Sequence, residues 1–275
     1  MTILVTGAFL PGMALALSAR NLVIGVLASF APIAQITLIP AILLVEKFAL
    51  RKLITMIFVT LSRFCLIAAA LVPFFAPEST RVILFTILMV VFFLGGAFSG
   101  SSWGSMIKDI IPQGQLGSIL ASKLAAATAL GAAPSVAAGF SIDSMSKAIG
   151  DPGKSYGIVF LVAAVIGLFG AFMRARMPEV RMPKRSEQTS WISTLMKPVK
   201  DTNFRRLLIF SSAWSFTVIM SGAFFAVYIL KRIGIPMSWV IMLADISQVT
   251  NIYFFTDRCG KVRHLTAPYR SKAGR

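Results

Sequence analysis

The sequence contains few charged residues. Only 13% of its 275 residues are Asp, Glu, Lys or Arg, whereas 57% are hydrophobic, and a soluble domain usually carries about a quarter charged residues. The chain therefore lacks the polar side chains that would cover a water-soluble globule. This shortage favours a polytopic membrane protein.

Histidine and cysteine are scarce as well. The only histidine, His264, stands in a basic tail, which removes His-based catalytic triads and multi-histidine metal sites from consideration. Cys65 and Cys259 lie in an apolar run and in that tail, so we expect no disulfide between them. A Gly-x-x-x-x-Gly-Lys-Ser/Thr phosphate loop is also missing. We predict that the protein is not an enzyme and uses no metal or cofactor.

Long apolar runs occupy most of the chain instead. A helix needs about 20 mostly apolar residues to cross a bilayer, and breaker residues such as Pro77, Pro112 and Gly234 stand between the runs. The first run ends like a signal peptide, but no basic residue precedes it, which favours a spanning helix. We predict eight spanning helices, at residues 3–18, 22–45, 53–75, 82–106, 124–145, 156–173, 207–230 and 237–255.

The net charge of +17 follows from the predicted topology. Most Lys and Arg residues fall in the loops after the second, fourth and sixth helices and in the tail, all on one side of the bilayer. Cytoplasmic loops carry such an excess of basic residues. We therefore expect a multi-pass protein of the cell (inner) membrane with both termini in the cytoplasm. The lipid bilayer is its expected partner, and nucleic acid is not.

The longest interruption between apolar runs is rich in proline and charge, and it separates six predicted helices from two. The expected fold is all-α. Its expected parts are a six-helix half at 1–173, a cytoplasmic central loop at 174–206, two further helices at 207–256 and a basic cytoplasmic tail at 257–275.

Short segments near the start of the chain recur after the central loop. The matches are Thr6-Gly7-Ala8-Phe9 with Ser221-Gly222-Ala223-Phe224, Ala34-Gln35-Ile36 with Ser247-Gln248-Val249, and the charged loop at 46–52 with that at 257–263. The seventh and eighth helices therefore resemble the restart of a six-helix unit in the same orientation. Parallel six-helix halves joined by a cytoplasmic loop are a known transporter plan.

The charged loop carries a family resemblance. The segment Glu46-Lys47-Phe48-Ala49-Leu50-Arg51-Lys52 is similar to the Gly-x-x-x-Asp-Arg/Lys-x-Gly-x-Arg/Lys-Arg/Lys loop of the major facilitator superfamily, with Glu46 for the Asp and Ala49 for the second Gly. The second copy keeps Asp257, Arg258 and Gly260. The segment at 103–112 also resembles one found in a prokaryotic branch of this superfamily.

This resemblance implies secondary active transport of a small solute by alternating access. Members of the superfamily normally have twelve spanning helices, so we expect a six-helix bundle plus the first two helices of a second bundle, truncated after the eighth helix and impaired in transport. The alternative is a non-transporting membrane fragment or a structural membrane protein. Neither the substrate nor the coupling ion follows from the sequence.

The resemblance also implies a gate made of charges at the cytoplasmic helix ends. Acid–base pairs that are partly desolvated can hold two helix ends together in one state and separate in the other. The alternative is that these charges only set the topology. The gate candidates are Glu46, Lys47, Arg51, Lys52 and Asp109, with Asp257 and Arg258 in the second copy.

Polar side chains within the predicted helices are the substrate candidates. A charge such as Arg63 is costly in a membrane and marks a functional site by default. Its partner is either an anionic substrate or an acid such as Asp245, or it belongs to a structural buried pair. Asp245, Gln248 and Asn251 are three residues apart and share one helix face, where they line a cavity, bind a proton or hold helices together.

Two further candidates follow from comparison within the chain and with the family. Gln35 is the counterpart of Gln248 in the first copy of the repeat. Trp214 lies in the seventh helix, and the resemblance implies that the first, fourth and seventh helices surround a central cavity. A buried aromatic with a packing role is the alternative for Trp214.

Small residues four apart predict close helix contacts. They are Gly96, Gly100 and Gly104 in the fourth predicted helix and Gly131, Ser135 and Gly139 in the fifth. We expect these two stripes to pack against each other; the alternative for the glycine stripe is a smooth surface for sliding during transport.

Overall fold

The computed structural model describes residues 2–37, 41, 51–111, 113–176, 201–248 and 250, and the regular structure of these residues is helical. The helices are α1 (Phe9–Ala16), α2 (Asn21–Ala34), α3 (Arg51–Phe75), α4 (Glu78–Ile110), α5 (Gln113–Ile149), α6 (Pro152–Ala175), α7 (Thr202–Tyr228) and α8 (237–248). Short 3-10 turns at Thr2–Leu4 and Gln35–Thr37 flank α1 and α2, and a π-helical turn, Ile229–Ile233, follows α7. The predicted all-α fold is confirmed for this part of the chain.

Four helices in the described ranges are long and apolar enough to cross a membrane. They are Lys52–Phe75, Glu78–Gly100, Gly117–Ile149 and Pro152–Ala175. These segments coincide with the third to sixth predicted helices, and they fit a protein that lies in a membrane.

Helix α3 is central to the first helix group, α1–α6, because it packs against both α4 and α6. Small residues allow these contacts. A Cβ placed on Gly95 of α4 would lie 3.0 Å from the carbonyl oxygen of Phe58, and one on Gly157 of α6 would lie 2.7 Å from that of Ala70. The Ser62 hydroxyl of α3 also donates a hydrogen bond of 3.0 Å to a backbone carbonyl of α4. The three helices therefore form a closely packed unit.

The first predicted helix is interrupted. Helix α1 has eight residues, which span about 12 Å and cannot cross a bilayer core of roughly 30 Å. Gly7 stands between the first 3-10 turn and α1 with a φ of 62°, a conformation that costs glycine little and other residues more. The second predicted helix, at 22–45, lies only partly within the described residues, where α2 ends at Ala34 and a 3-10 turn follows it. Hydropathy did not reveal the break because the residues on both sides of it are apolar.

The two predicted stripes of small residues do not pack against each other. A Cβ on Gly96 or Gly100 meets nothing within 4 Å among the described residues, whereas one on Gly139 would lie 2.8 Å from Ile241 Cδ1 and 3.0 Å from Ser238 Cα of α8. The predicted pairing is therefore wrong. The close contact of α4 is made by Gly95 instead, and one residue along a helix is a rotation of about 100°.

Replacing Gly139 by valine should separate α5 from α8, because the new side chain meets the backbone of Ser238. We expect a loss of about 1–3 kcal/mol in the free energy of unfolding, as in other overpacked contacts. Thermal unfolding of the detergent-solubilised protein measures this change. Gly96→Val is the matched control and should have little effect, and equal losses in the two variants would contradict the α5–α8 contact.

Candidate functional site

A cavity of about 600 Å³ lies between the first helix group and the second, which consists of α7 and α8. Its walls come from α1, α2 and α4 on one side and from α7 and α8 on the other, and they are mostly apolar and small. Ligand cavities in proteins are typically of about 300–1,000 Å³. The size and position of this cavity make it the principal candidate for a binding site.

The first repeated segment and its counterpart meet at this cavity. Thr6, Gly7 and Ala8 line it from the break before α1, and Gly222 lines it from α7. The adjacent Phe224 reaches α2, where its ring carbon Cζ would lie 3.2 Å from a Cβ on Gly25. In the sequence, this repeat indicated the restart of a six-helix unit. In the structure, residues of both copies line the same cavity.

A second cavity of about 210 Å³ adjoins the first, and the two share part of their walls, including Thr6 and Ala244. Its polar side chains include Ser135 of α5 and Asp245 and Gln248 of α8. The Ser135 hydroxyl donates a hydrogen bond to Oδ2 of Asp245. The small cavity therefore offers a carboxylate, an amide and hydroxyl groups beside the larger apolar space.

Helices α5 and α8 meet along a line of contacts that we call the α5–α8 seam, formed by Ser135, Gly139 and Asp143 of α5 with 238, 241 and 245 of α8. At one end of the seam, the backbone N–H groups of Met237 and Ser238 donate to the two carboxylate oxygens of Asp143 at 3.0 and 2.9 Å. The first N–H groups of a helix have no partner within the helix, and a negative charge there is favourable. Asp143 thus caps α8 from another helix.

Asp143 is the site residue that the sequence interpretation missed. It lies within the fifth predicted helix, and it is four residues beyond Gly139 and eight beyond Ser135, so all three share a face. The start of α8 follows Pro236, whose side chain cannot act as a cap. Two features of the sequence indicate this cap: an acid within an apolar run, and a later helix start that has no capping side chain of its own.

Arg63 and Asp245 are not brought together. The Nε of Arg63 is buried without a hydrogen-bond partner among the described residues, and the guanidinium lies 5.8 Å from the ring centroid of Phe92 on α4. Within the same ranges no ion pair joins Arg63 to Asp245, and Arg63 does not line either cavity. The suggested pairing of the two charges is not found.

Trp214 and Gln35 lie away from both cavities. Trp214 is 64% exposed and stacks on Phe210 with ring centroids 6.4 Å apart, whereas α7 lines the large cavity only from Gly222 onwards. Gln35 is exposed in the 3-10 turn after α2. Helix α7 does line the cavity together with α1 and α4, but at a position about two turns beyond Trp214.

The predicted gate is only partly within the described residues. Arg51 is the first residue of α3, Lys52 follows it with a half-buried side chain, and Asp109 lies in the last turn of α4. The other candidates, Glu46, Lys47, Asp257 and Arg258, lie outside the described ranges, as does Asn251 of the cavity candidates. The charge cluster stays a prediction.

Comparison with known proteins adds no relative. No protein-family model, curated protein sequence or solved structure matches this chain. The cavities and the seam are therefore the features that bear on function.

Replacing Asp143 by alanine removes both acceptors from the first turn of α8. We expect the free energy of unfolding to fall by about 1–3 kcal/mol, because two N–H groups inside the protein lose their partner. Thermal unfolding in detergent measures the loss.

The matched control is Asp201→Ala, since Asp201 accepts from the backbone N–H groups of Asn203 and Phe204 at 2.8 and 3.3 Å at the exposed start of α7. Water can replace that cap, so the expected loss is smaller. If both variants lose the same stability, the cap on α8 has no role beyond a local one.

Proposed function

We propose that the protein is a secondary transporter of the major facilitator type, which moves a small solute across a membrane by alternating access. The observation that carries this proposal is the cavity between the two helix groups, which residues of both copies of the first repeated segment line. In transporters built from repeats, the substrate site lies at the interface between the repeats.

The interrupted first helix supports the same proposal. Substrate sites of transporters are often formed by discontinuous helices, and non-helical backbone is tolerated inside a membrane where it lines a cavity. The break at Gly7 does line both cavities.

In this proposal the α5–α8 seam links the two helix groups during transport. Its contacts are a few hydrogen bonds and one close approach at Gly139, so the groups can tilt about it without exposing a large apolar core. The charged loop at 46–52 and Asp109 would form the cytoplasmic gate. The proposal also places the protein in the cell (inner) membrane with both termini in the cytoplasm.

One observation favours the alternative, a membrane protein without transport activity. The side chains of α7 are exposed from 202 to 218, so within the described ranges the first half of this helix has few neighbours. A second helix group with so little support could enclose a static crevice.

Access to the cavity from the two sides of the membrane distinguishes these functions without knowledge of the solute. Cys65 and Cys259 are replaced by serine, and Ala244, which lines both cavities, is replaced by cysteine. A membrane-impermeant maleimide is then applied to right-side-out and to inside-out vesicles. Alternating access predicts labelling of Ala244→Cys from both sides.

The matched control is Val165→Cys on α6. Val165 is 59% exposed in a membrane-spanning helix and does not line either cavity, so its thiol should face lipid and stay unlabelled in both preparations. Labelling of Ala244→Cys from one side alone, or from neither, would contradict transport and favour the static crevice.

A further inference from the structure

The two cavities contain only one ionisable side chain among the described residues. That residue is Asp245, in the wall of the small cavity. Lys and Arg are absent from the lining that the structure describes, although the whole chain carries a net charge of +17. The described lining of the two cavities therefore contains one acidic side chain and no basic one.

The carboxylate of Asp245 has no basic partner within the described ranges. Its hydrogen bond comes from the Ser135 hydroxyl, and the ion pairs found there are Glu78 with Arg81 and Asp151 with Lys154. A carboxylate in an apolar, partly buried setting is costly unless a positive group accompanies it. A cation that enters the cavity would supply the missing charge.

The larger cavity determines what else the ligand must carry. Its walls include the side chains of Phe93, Phe225 and Leu243, while Gly222 and Ala244 leave room between them. Few polar groups face it, so a sugar or another ligand rich in hydroxyl groups would lose hydrogen bonds to water without replacement. An apolar body gains from burial here, and an aromatic ring can also interact with a positive charge.

From these observations we infer that the cavities bind a hydrophobic organic cation, with its apolar body in the large cavity and Asp245 as its counter-ion. This inference builds on the proposed function, since it names the solute class of the same cavity. It concerns equilibrium binding, however, and does not require that the bound cation is moved.

Two probes of similar size and shape and opposite charge test the inference: tetraphenylphosphonium and tetraphenylborate. Equilibrium binding of each is measured on the purified full-length chain in detergent. Saturable binding of the phosphonium cation should be at least about tenfold tighter than binding of the borate anion, which corresponds to about 1.4 kcal/mol or more. Equal affinities, or tighter binding of the anion, would overturn the inference.

Asp245→Asn then tests the counter-ion. The amide oxygen of asparagine can still accept the hydrogen bond of Ser135, so the α5–α8 seam should be retained while the charge is lost. We expect the affinity for tetraphenylphosphonium to fall by about tenfold or more. Glu78→Gln is the control, because the side chain of Glu78 is 91% exposed outside the cavities, and it should leave the affinity unchanged.

The remaining outcomes also decide the question. Unchanged cation affinity in a folded Asp245→Asn variant would overturn the role of Asp245. If that variant does not fold, Asp245→Glu keeps the charge and should keep the preference for the cation. An Asp245→Glu variant that binds the cation and the anion with equal affinity would overturn the inference.

The labelling and binding experiments fail independently. Labelling of Ala244→Cys from one side alone together with cation-selective binding would contradict transport and leave this binding site. Labelling from both sides together with equal affinities for the two probes would support transport and overturn the cation site.

Discussion

The position of α8 depends on the carboxylate of Asp143. This group receives two N–H groups from the first turn of α8, and an apolar environment makes such hydrogen bonds stronger than they are in water. With its start fixed against α5, the helix reaches Ser135 about two turns later, where Asp245 accepts the hydroxyl. The walls that α8 gives to both cavities follow from these two points of attachment.

The cavities exist because small residues and irregular backbone stand where large side chains would otherwise interlock. Backbone N–H and C=O groups must find partners inside a membrane protein, and the break at Gly7 meets this need in part with a bond of 3.3 Å from the Phe9 N–H to the Thr6 carbonyl. The Ala8 carbonyl also accepts a hydrogen bond of 3.0 Å from the Gly12 N–H, and Thr6, Gly7 and Ala8 line the space between the helix groups. The break before α1 and the cavity that it lines are therefore parts of the same structural feature.

The sequence predicted the helices better than their rotation. Runs of apolar residues located α3 to α6, and the spacing of Asp245 and Gln248 predicted that they share a face, which the small cavity shows. The stripe at Gly96 was expected to contact the fifth helix, but the close contact of α4 is made one residue earlier, by Gly95, and its partner is α3. In a membrane protein both the lipid-facing and the buried side of a helix are apolar, so hydropathy contains little information about which side faces inward. The cap by Asp143 joins residues 94 apart, and no local pattern specifies such a contact.

Apart from the ion pairs of Glu78 with Arg81 and Asp151 with Lys154, the charges discussed above lie in different places according to their sign. Arg63 of α3 and Arg174 of α6 lie over aromatic rings of α4, at 5.8 Å from Phe92 and 5.2 Å from Trp103, and such rings stabilise a cation without introducing a negative charge. The acids Asp143 and Asp245 lie instead on the α5–α8 seam. Among the described residues, the rings of α4 rather than carboxylates contact Arg63 and Arg174. The carboxylate of Asp245 does not neutralise either arginine, and it remains beside the cavity as a site for a positive ligand.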